Sequence, residues 1–321
     1  MKTLVTGGTG FIGSHVVQSL LAEGHAVRLL SRKQEIPEQL KGKNVEVVQG
    51  DLEDPGSVIN AMGGVELFYH IGEIKNITKA QAEKNIRLTE KIIENLEVKG
   101  IQRFVFVSSI TVAGIPSELP GDEETMPKVI LTDHYTTYKR RCEEIIRERA
   151  GGCEYAIVRP APVYGTGSRY LGRLVSAIEI LGPIGLPFIG DAKNITPLTQ
   201  VKDLAKAIVL AGQRSEAAGQ TFNLTDGLSH TWFDFFTAIA EALHQKVRII
   251  PIPSLLLKLP AIPLELFSAF LGVNFDPINY VNYFSQDLLF SNARARTVLN
   301  WQPEYTLADG VREMVAYYRK R

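Results

Sequence analysis

The chain has 321 residues, enough to bury a large core either as one α/β domain or as a core domain with a smaller companion. Lys plus Arg and Asp plus Glu balance at 35 each, and no long single-sign run occurs, so no electrostatic case exists for nucleic acid or another polyanion as partner. Two cysteines, Cys142 and Cys153, are too few and too plainly spaced for a disulfide framework or a zinc site; no metal is expected, and a reducing compartment suits them.

The first residues, MKTLVTGG, read as a strand start rather than a charged leader with an apolar core, so a cytoplasmic protein is expected. Runs rich in Val, Ile and Leu follow at 3–6, 26–30, 45–49, 66–70, 103–108 and 154–158. They alternate with amphipathic stretches at 12–23, 56–62, 79–99 and 134–149, and Asp54-Pro55 is a good start for the second of these. Strands that alternate with helices and are apolar on both faces predict an α/β fold with a doubly wound parallel sheet. Right-handed crossovers then bring every strand's C-terminal end to one edge, where ligands bind.

After Pro160 the pattern changes to Gly- and Pro-punctuated segments around a helical stretch at 171–181. A strand at 221–226 and a helix at 231–243 then suggest a return to the sheet. The expected division is a dinucleotide-binding domain over 1–163, rejoined by 197–226, and a smaller, mainly helical substrate lobe from 164–196 and 227–321. The most apolar stretch, 250–272, is broken by Lys258, Pro260, Pro263 and Glu265, which argues against a spanning helix of about 20 apolar residues. It reads either as helical core or as a wall offered to an apolar substrate; peripheral membrane attachment is a weaker reading, because the prolines interrupt an amphipathic helix.

In TGGTGFIG, residues 6–13, Gly8, Gly10 and Gly13 satisfy G-x-G-x-x-G, and Gly7, Gly10 and Gly13 satisfy G-x-x-G-x-x-G. In either register, glycines allow a tight turn, close backbone approach to a pyrophosphate and packing of helix on strand. The helix N-terminus at Phe11 and Ile12 offers its free N–H groups to phosphate. In NAD-binding versions an acid about 20 residues further on takes the ribose 2′-hydroxyl. Here the second strand ends instead in Ser31, Arg32 and Lys33, with no acid before Glu35. An Arg fork can grip a 2′-phosphate, so NADP(H) is expected in preference to NAD(H), the alternative being a merely solvated loop. Asp51 and Leu52, just past the third strand, are placed to meet the adenine, although Asp51 also reads as a helix cap.

Of eleven tyrosines only Tyr135 is followed four residues later by a lysine, Lys139, which puts both on one helix face. A nearby ammonium favours phenolate and lowers the tyrosine pKa from about 10. The preceding strand ends in Ser108 and Ser109, on the same edge as the glycine turn. Taken together, TGGTGFIG, GDLED, FVSSITVAG, YTTYK followed by Glu143, VRPAPVYGTG and LTDG resemble an extended short-chain dehydrogenase/reductase of the NAD(P)-dependent epimerase/dehydratase group over essentially the whole chain. The resemblance implies Ser109 and Tyr135 as catalytic hydroxyls and Lys139 as the residue that binds the nicotinamide ribose and tunes Tyr135. It implies Thr111 and Asn85 as supporting groups. Ser108, His70 and Gly72 would lie beside the cofactor, and Pro160 and Val163 along the nicotinamide. A homodimer through 79–99 and 134–149 is implied as well.

Two departures bear on the pocket. The group's His-x-Ala-Ala reads His70-Ile71-Gly72-Glu73 here, so His70 also reads as a plain core or strand-end residue and Glu73 as a charge near the cofactor cleft or in solvent, and Ala113 stands where many relatives carry Tyr. Near the V-x-D segment, where sugar-nucleotide epimerases of the group carry Arg, this chain has Thr196 and Pro197, with Lys193 the nearest cation. GDAKN at 190–194 instead resembles 3β-hydroxysteroid dehydrogenases and dihydroflavonol reductases. Three readings follow: an oxidoreductase for a lipophilic or cyclic alcohol or ketone, a nucleotide-sugar epimerase, dehydratase or reductase, and a non-catalytic NADP(H) sensor. The sensor would have no need of Tyr135 and Lys139. In all three the partner is a small molecule, held in the space between Tyr135, Tyr164 and the 250–284 region.

Overall fold

The computed structural model describes residues 1–36, 38–74, 78–256 and 277–320. Seven strands form one sheet: β1 (Lys2–Thr6), β2 (Ala26–Ser31), β3 (Val45–Gln49), β4 (Leu67–His70), β5 (Arg103–Val107), β6 (Glu154–Pro160) and β7 (Gln220–Leu224). Every pairing is parallel and the order is β7-β6-β5-β4-β1-β2-β3. The chain winds outward from β1 to β3 and then returns to place β4 on the other side of β1. That reversal opens a crevice at the C-terminal ends of β1 and β4, where a doubly wound sheet binds its ligand.

The alternation of apolar runs with helices is realised as two cores. On one face α1 (Phe11–Ala22) and α6 (Val201–Gln213) pack through Val16, Leu20, Leu204 and Ile208; on the other, α2 (Pro55–Ala61), α3 (Lys79–Asn95) and α4 (His134–Arg149) pack through Val58, Leu88, Ile92 and Ile145. Asp54 caps α2 by accepting from the Gly56 N–H, with Pro55 at the first helical position. Two expectations need correction. β3 is an edge strand and only half-buried, so it is not apolar-packed on both faces. α3 stops at Asn95 rather than 99, because the chain turns at 96–100 through Gly100 in the left-handed region.

A third core joins α5 (Arg169–Leu181), α7 (Trp232–Ala242) and α10 (Leu307–Arg319) through Val175, Ile178, Phe235, Phe236, Ile239 and Met314. Of the other C-terminal helices, α8 (Pro277–Phe284) borders the crevice through Tyr283, whereas α9 (Ala293–Leu299) packs Ala295 and Leu299, with Trp301, into the sheet's own core. Part of the 227–321 stretch expected in the second lobe is therefore packed with the sheet. Of the apolar stretch 250–272, only 250–256 falls within the described residues, and Ile249–Ile252 pairs in parallel with Leu186–Ile189. Among the described residues no helix is long and apolar enough to cross a membrane.

Candidate functional site

A cavity of about 800 Å³ lies at the β1/β4 crevice, a volume within the usual range for cofactor sites. Its floor is the glycine turn. Gly7 has φ +71°, and a Cβ there would come within 2.6 Å of the Gly72 Cα and N. A Cβ on Gly13 would overlap the Gly7 carbonyl oxygen. These glycines are needed so that the β1 turn, the β4 turn and the first turn of α1 can touch. The Gly10 N–H bonds the Gly7 carbonyl oxygen at 2.8 Å, and α1 then starts with no side-chain cap and no acid in its first turn. Phe11, Ile12 and Gly13 line the cavity, and a helix start leaves its first N–H groups without intrahelical partners, an arrangement suited to a pyrophosphate. The residues present thus fit a dinucleotide.

Gly7, Gly10, Phe11, Ile12, Gly13, Ser31, Arg32, Asp51, Leu52, Gly72, Ser108, Ser109, Thr111, Tyr135, Lys139, Pro160 and Val163 all line this cavity. Lys33 stands just outside it, in an adjoining hollow that shares Thr9, Ser31 and Arg32 and also holds Glu35, Glu38 and Lys41. Lys41 is ion-paired to Glu38. Asp51 does not cap α2, which Asp54 does; its carboxylate accepts from the Glu53 N–H at 3.1 Å.

At the end of β5 the two serines divide their work. Ser108 donates to Glu143 Oε1 at 2.5 Å, so its hydroxyl is bound into the structure behind the cavity. Glu143 is fully buried and also takes two bonds from Arg159, at 2.9 and 2.6 Å, and one from Arg147 at 2.7 Å. Burial opposes its charge, but Arg159 and Arg147 hold its carboxyl below the usual range. Ser109 caps the short turn that follows: its Oγ accepts from the Thr111 N–H and hydroxyl, which leaves its own hydrogen to donate into the cavity. On α4, Lys139 is 4 % exposed; its Nζ donates to the Val107 carbonyl oxygen at 2.8 Å and lies 5.9 Å from the centre of the Tyr135 ring.

His70, expected beside the cofactor, and Asn85, expected as a catalytic support, both stand behind the wall. His70 is buried at the end of β4, with Nδ1 2.8 Å from Thr6 Oγ1 and burial holding its pKa down to about 3. It is therefore a neutral core residue, packed among Phe68, Phe104 and Phe106. Asn85, from α3, accepts from the Ile74 N–H at 3.0 Å and donates to the Ile74 and Gln81 carbonyl oxygens. It thereby fixes the backbone of a cavity-lining residue without reaching the cavity. Tyr164 packs in the third core against Phe235, so the upper wall is formed by Tyr283 instead. Lys193 is an exposed turn residue and no part of the cavity.

Glu73 is more deeply involved than its place in the sequence suggested. It lines the cavity, its Oε2 accepts from the Tyr138 hydroxyl at 2.5 Å, and it lies 3.7 Å from Lys139 Nζ. Burial and the Glu73 charge hold Tyr138 well above the usual phenol range, so Tyr138 remains a donor. An isolated charge three residues past an apolar strand was the available signal; its partners lie 65 and 66 positions further along the chain.

Residues 3–225 match the NAD dependent epimerase/dehydratase family. The chain is 26 % identical over 343 residues to a 3 beta-hydroxysteroid dehydrogenase/Delta 5-->4-isomerase of Mycobacterium tuberculosis, covering 99 % of this chain and 90 % of that protein. It is 27 % identical to sterol demethylase protein B of Methylococcus capsulatus, covering 100 % of this chain and 99 % of the other. Its fold is similar to that of a UDP-glucose 4-epimerase from Thermotoga maritima, with a TM-score of 0.76, 22 % identity and 100 % and 99 % of the two chains covered.

Proposed function

The chain belongs to the NAD dependent epimerase/dehydratase family, and from that premise we propose that it is an NADP(H)-dependent oxidoreductase that interconverts a secondary alcohol and a ketone on a lipophilic or cyclic substrate. That it is an NAD(P)-dependent enzyme of the extended short-chain dehydrogenase/reductase type follows from the family; the phosphorylated cofactor and the substrate class are the proposal. The observation that carries it is the convergence of Ser109, Tyr135 and Lys139 on the cavity whose floor is the glycine turn. A nicotinamide, when bound, supplies the hydride acceptor or donor. Ser109 would donate its free hydrogen to the substrate oxygen, and Tyr135 would move the proton to or from that oxygen. Lys139, fixed by the Val107 carbonyl, would hold positive charge beside Tyr135 and bond the cofactor ribose.

Arg32 at the cavity rim and Lys33 in the adjoining hollow support the phosphorylated cofactor, since each can approach a 2′-phosphate. Two observations favour a lipophilic substrate over a nucleotide sugar. Several relatives are named for steroid or sterol chemistry, and the one described second-lobe residue on the cavity wall is Tyr283, not a cation that could hold a substrate pyrophosphate. The test is turnover of NADP+ with a panel of secondary alcohols that includes a 3β-hydroxysteroid, for wild type and Tyr135→Phe. The variant should lose about 10²- to 10⁴-fold in turnover while keeping its cofactor affinity. Near-normal turnover in Tyr135→Phe would overturn the assignment.

A further inference from the structure

We infer that Glu73, held in place by Tyr138, makes the cavity discriminate between the two redox states of the cofactor in favour of the oxidised one. The inference rests on the reading of the cavity as a nicotinamide dinucleotide site. Its starting point is the place of one carboxylate: a dinucleotide carries two or three phosphates, and of the three carboxylates that line the space meant for it, Asp51, Glu53 and Glu73, it is Glu73 that stands beside Lys139.

That carboxylate is not a stray surface group. Oε2 receives the Tyr138 hydroxyl at 2.5 Å, Lys139 Nζ lies 3.7 Å away, and the next residue, Ile74, has both its backbone N–H and its carbonyl clasped by the Asn85 side chain. Tyr138 is itself buried, and its ring stands edge-on to Tyr135 at 5.6 Å. Glu73 is thus pinned in the Tyr135–Lys139 quarter of the cavity, whereas the phosphate-binding features sit on the glycine turn and at Arg32. A carboxylate is repelled by every phosphate of the ligand. Its favourable partners are hydrogen-bond donors such as ribose hydroxyls, which are the same in both redox states, and the nicotinamide ring, which is cationic only when oxidised. A fixed negative charge on that side therefore stabilises the oxidised form selectively, and it offsets Lys139, whose ammonium would by itself oppose a second cation nearby.

The test is equilibrium binding, without turnover. Dissociation constants for NADP+ and NADPH are measured on wild type and Glu73→Gln, by calorimetry for the first and by nicotinamide fluorescence for the second. Glutamine keeps an acceptor for Tyr138 and removes only the charge. The ratio Kd(NADP+)/Kd(NADPH) should rise about three- to tenfold, the size expected of one charge acting across a few ångströms of partly wet cavity. Tyr138→Phe, which frees the carboxylate without removing it, should raise the ratio in the same direction by less. If Glu73→Gln does not fold, Tyr138→Phe carries the test by itself. An unchanged ratio, or equal weakening of both forms as expected for a ribose hydrogen bond alone, would overturn the inference and leave the oxidoreductase reading standing. Failure of wild type to bind either form would instead remove that reading.

Discussion

His70 provides a direct test of which residues face the cavity and which support it. Its imidazole is 4 % exposed, bonded through Nδ1 to Thr6 Oγ1 at 2.8 Å and packed within 6.3 Å of the Phe68, Phe104 and Phe106 ring centres. Burial chiefly, with the Lys139 charge adding to it, lowers its pKa to about 3, against about 6.5 in an unfolded chain. The unfolded state therefore binds the proton more readily. His70 contributes its full stability above pH 6.5, and that contribution is lost as the pH falls from 6.5 towards 3. Between pH 7 and pH 5 the loss amounts to about 2 kcal/mol from this one group. Urea unfolding of wild type and His70→Gln at both pH values measures it. Wild type should lose about 2 kcal/mol more than the variant over that interval. His15 and His25, whose pKa values are also lowered, and His230, whose value is raised by Asp226, are present in both proteins and cancel from the difference. Equal losses in the two proteins would refute the burial argument and return His70 to the list of solvent- or ligand-facing groups.

Two further outcomes follow from the site's construction. Gly13→Ala places a methyl group on the Gly7 carbonyl oxygen, a backbone atom that cannot rotate away. α1 must then withdraw from the turn at a cost of about 1–3 kcal/mol, and calorimetry should show dinucleotide affinity reduced by at least an order of magnitude. Glu143→Ala leaves Arg159 buried without its carboxylate and should cost about 3–5 kcal/mol in denaturant unfolding, whereas Glu143→Leu combined with Arg159→Met should recover most of that loss. If the double variant is no more stable than Glu143→Ala, the unpaired buried guanidinium is not the source of the cost.

Much of the sheet was legible because the apolar runs are short, β-branched and regularly separated by helix-period segments, and the glycine spacing fixed where the ligand edge begins. Tyr135 and Lys139 could be paired because four residues span about one helical turn, a local relation that a sequence carries openly. What stayed hidden is long-range. The resemblance picks Ser109 over Ser108 as the catalytic hydroxyl, but the group that binds Ser108 away is not readable locally: it is Glu143, 35 residues later, with Arg159 behind it. His70 reads from its departed motif either as cofactor-facing or as a strand-end core residue; it ends a strand whose residues are all buried, and the packing of Phe68, Phe104 and Phe106 decides for the core. β3 exposes Glu46 and Gln49 and leaves its three valines half-buried at one end of the sheet order, and that it is an edge strand is a property of topology that the local run does not show. Tyr283 lies inside the 250–284 region expected to bound the substrate space, but no local motif singles it out from its neighbours as the wall residue.

In the proposed function the crevice between β1 and β4 holds a nicotinamide dinucleotide through the glycine turn and prefers the 2′-phosphorylated form through the cations at the end of β2. Titration of the wild-type protein with NADPH and with NADH, followed by nicotinamide fluorescence under identical buffer and salt, tests it directly. Both should bind, NADPH the more tightly; tighter binding of NADH would contradict the role given to Arg32 and Lys33, and binding of neither would contradict the account of the cavity itself.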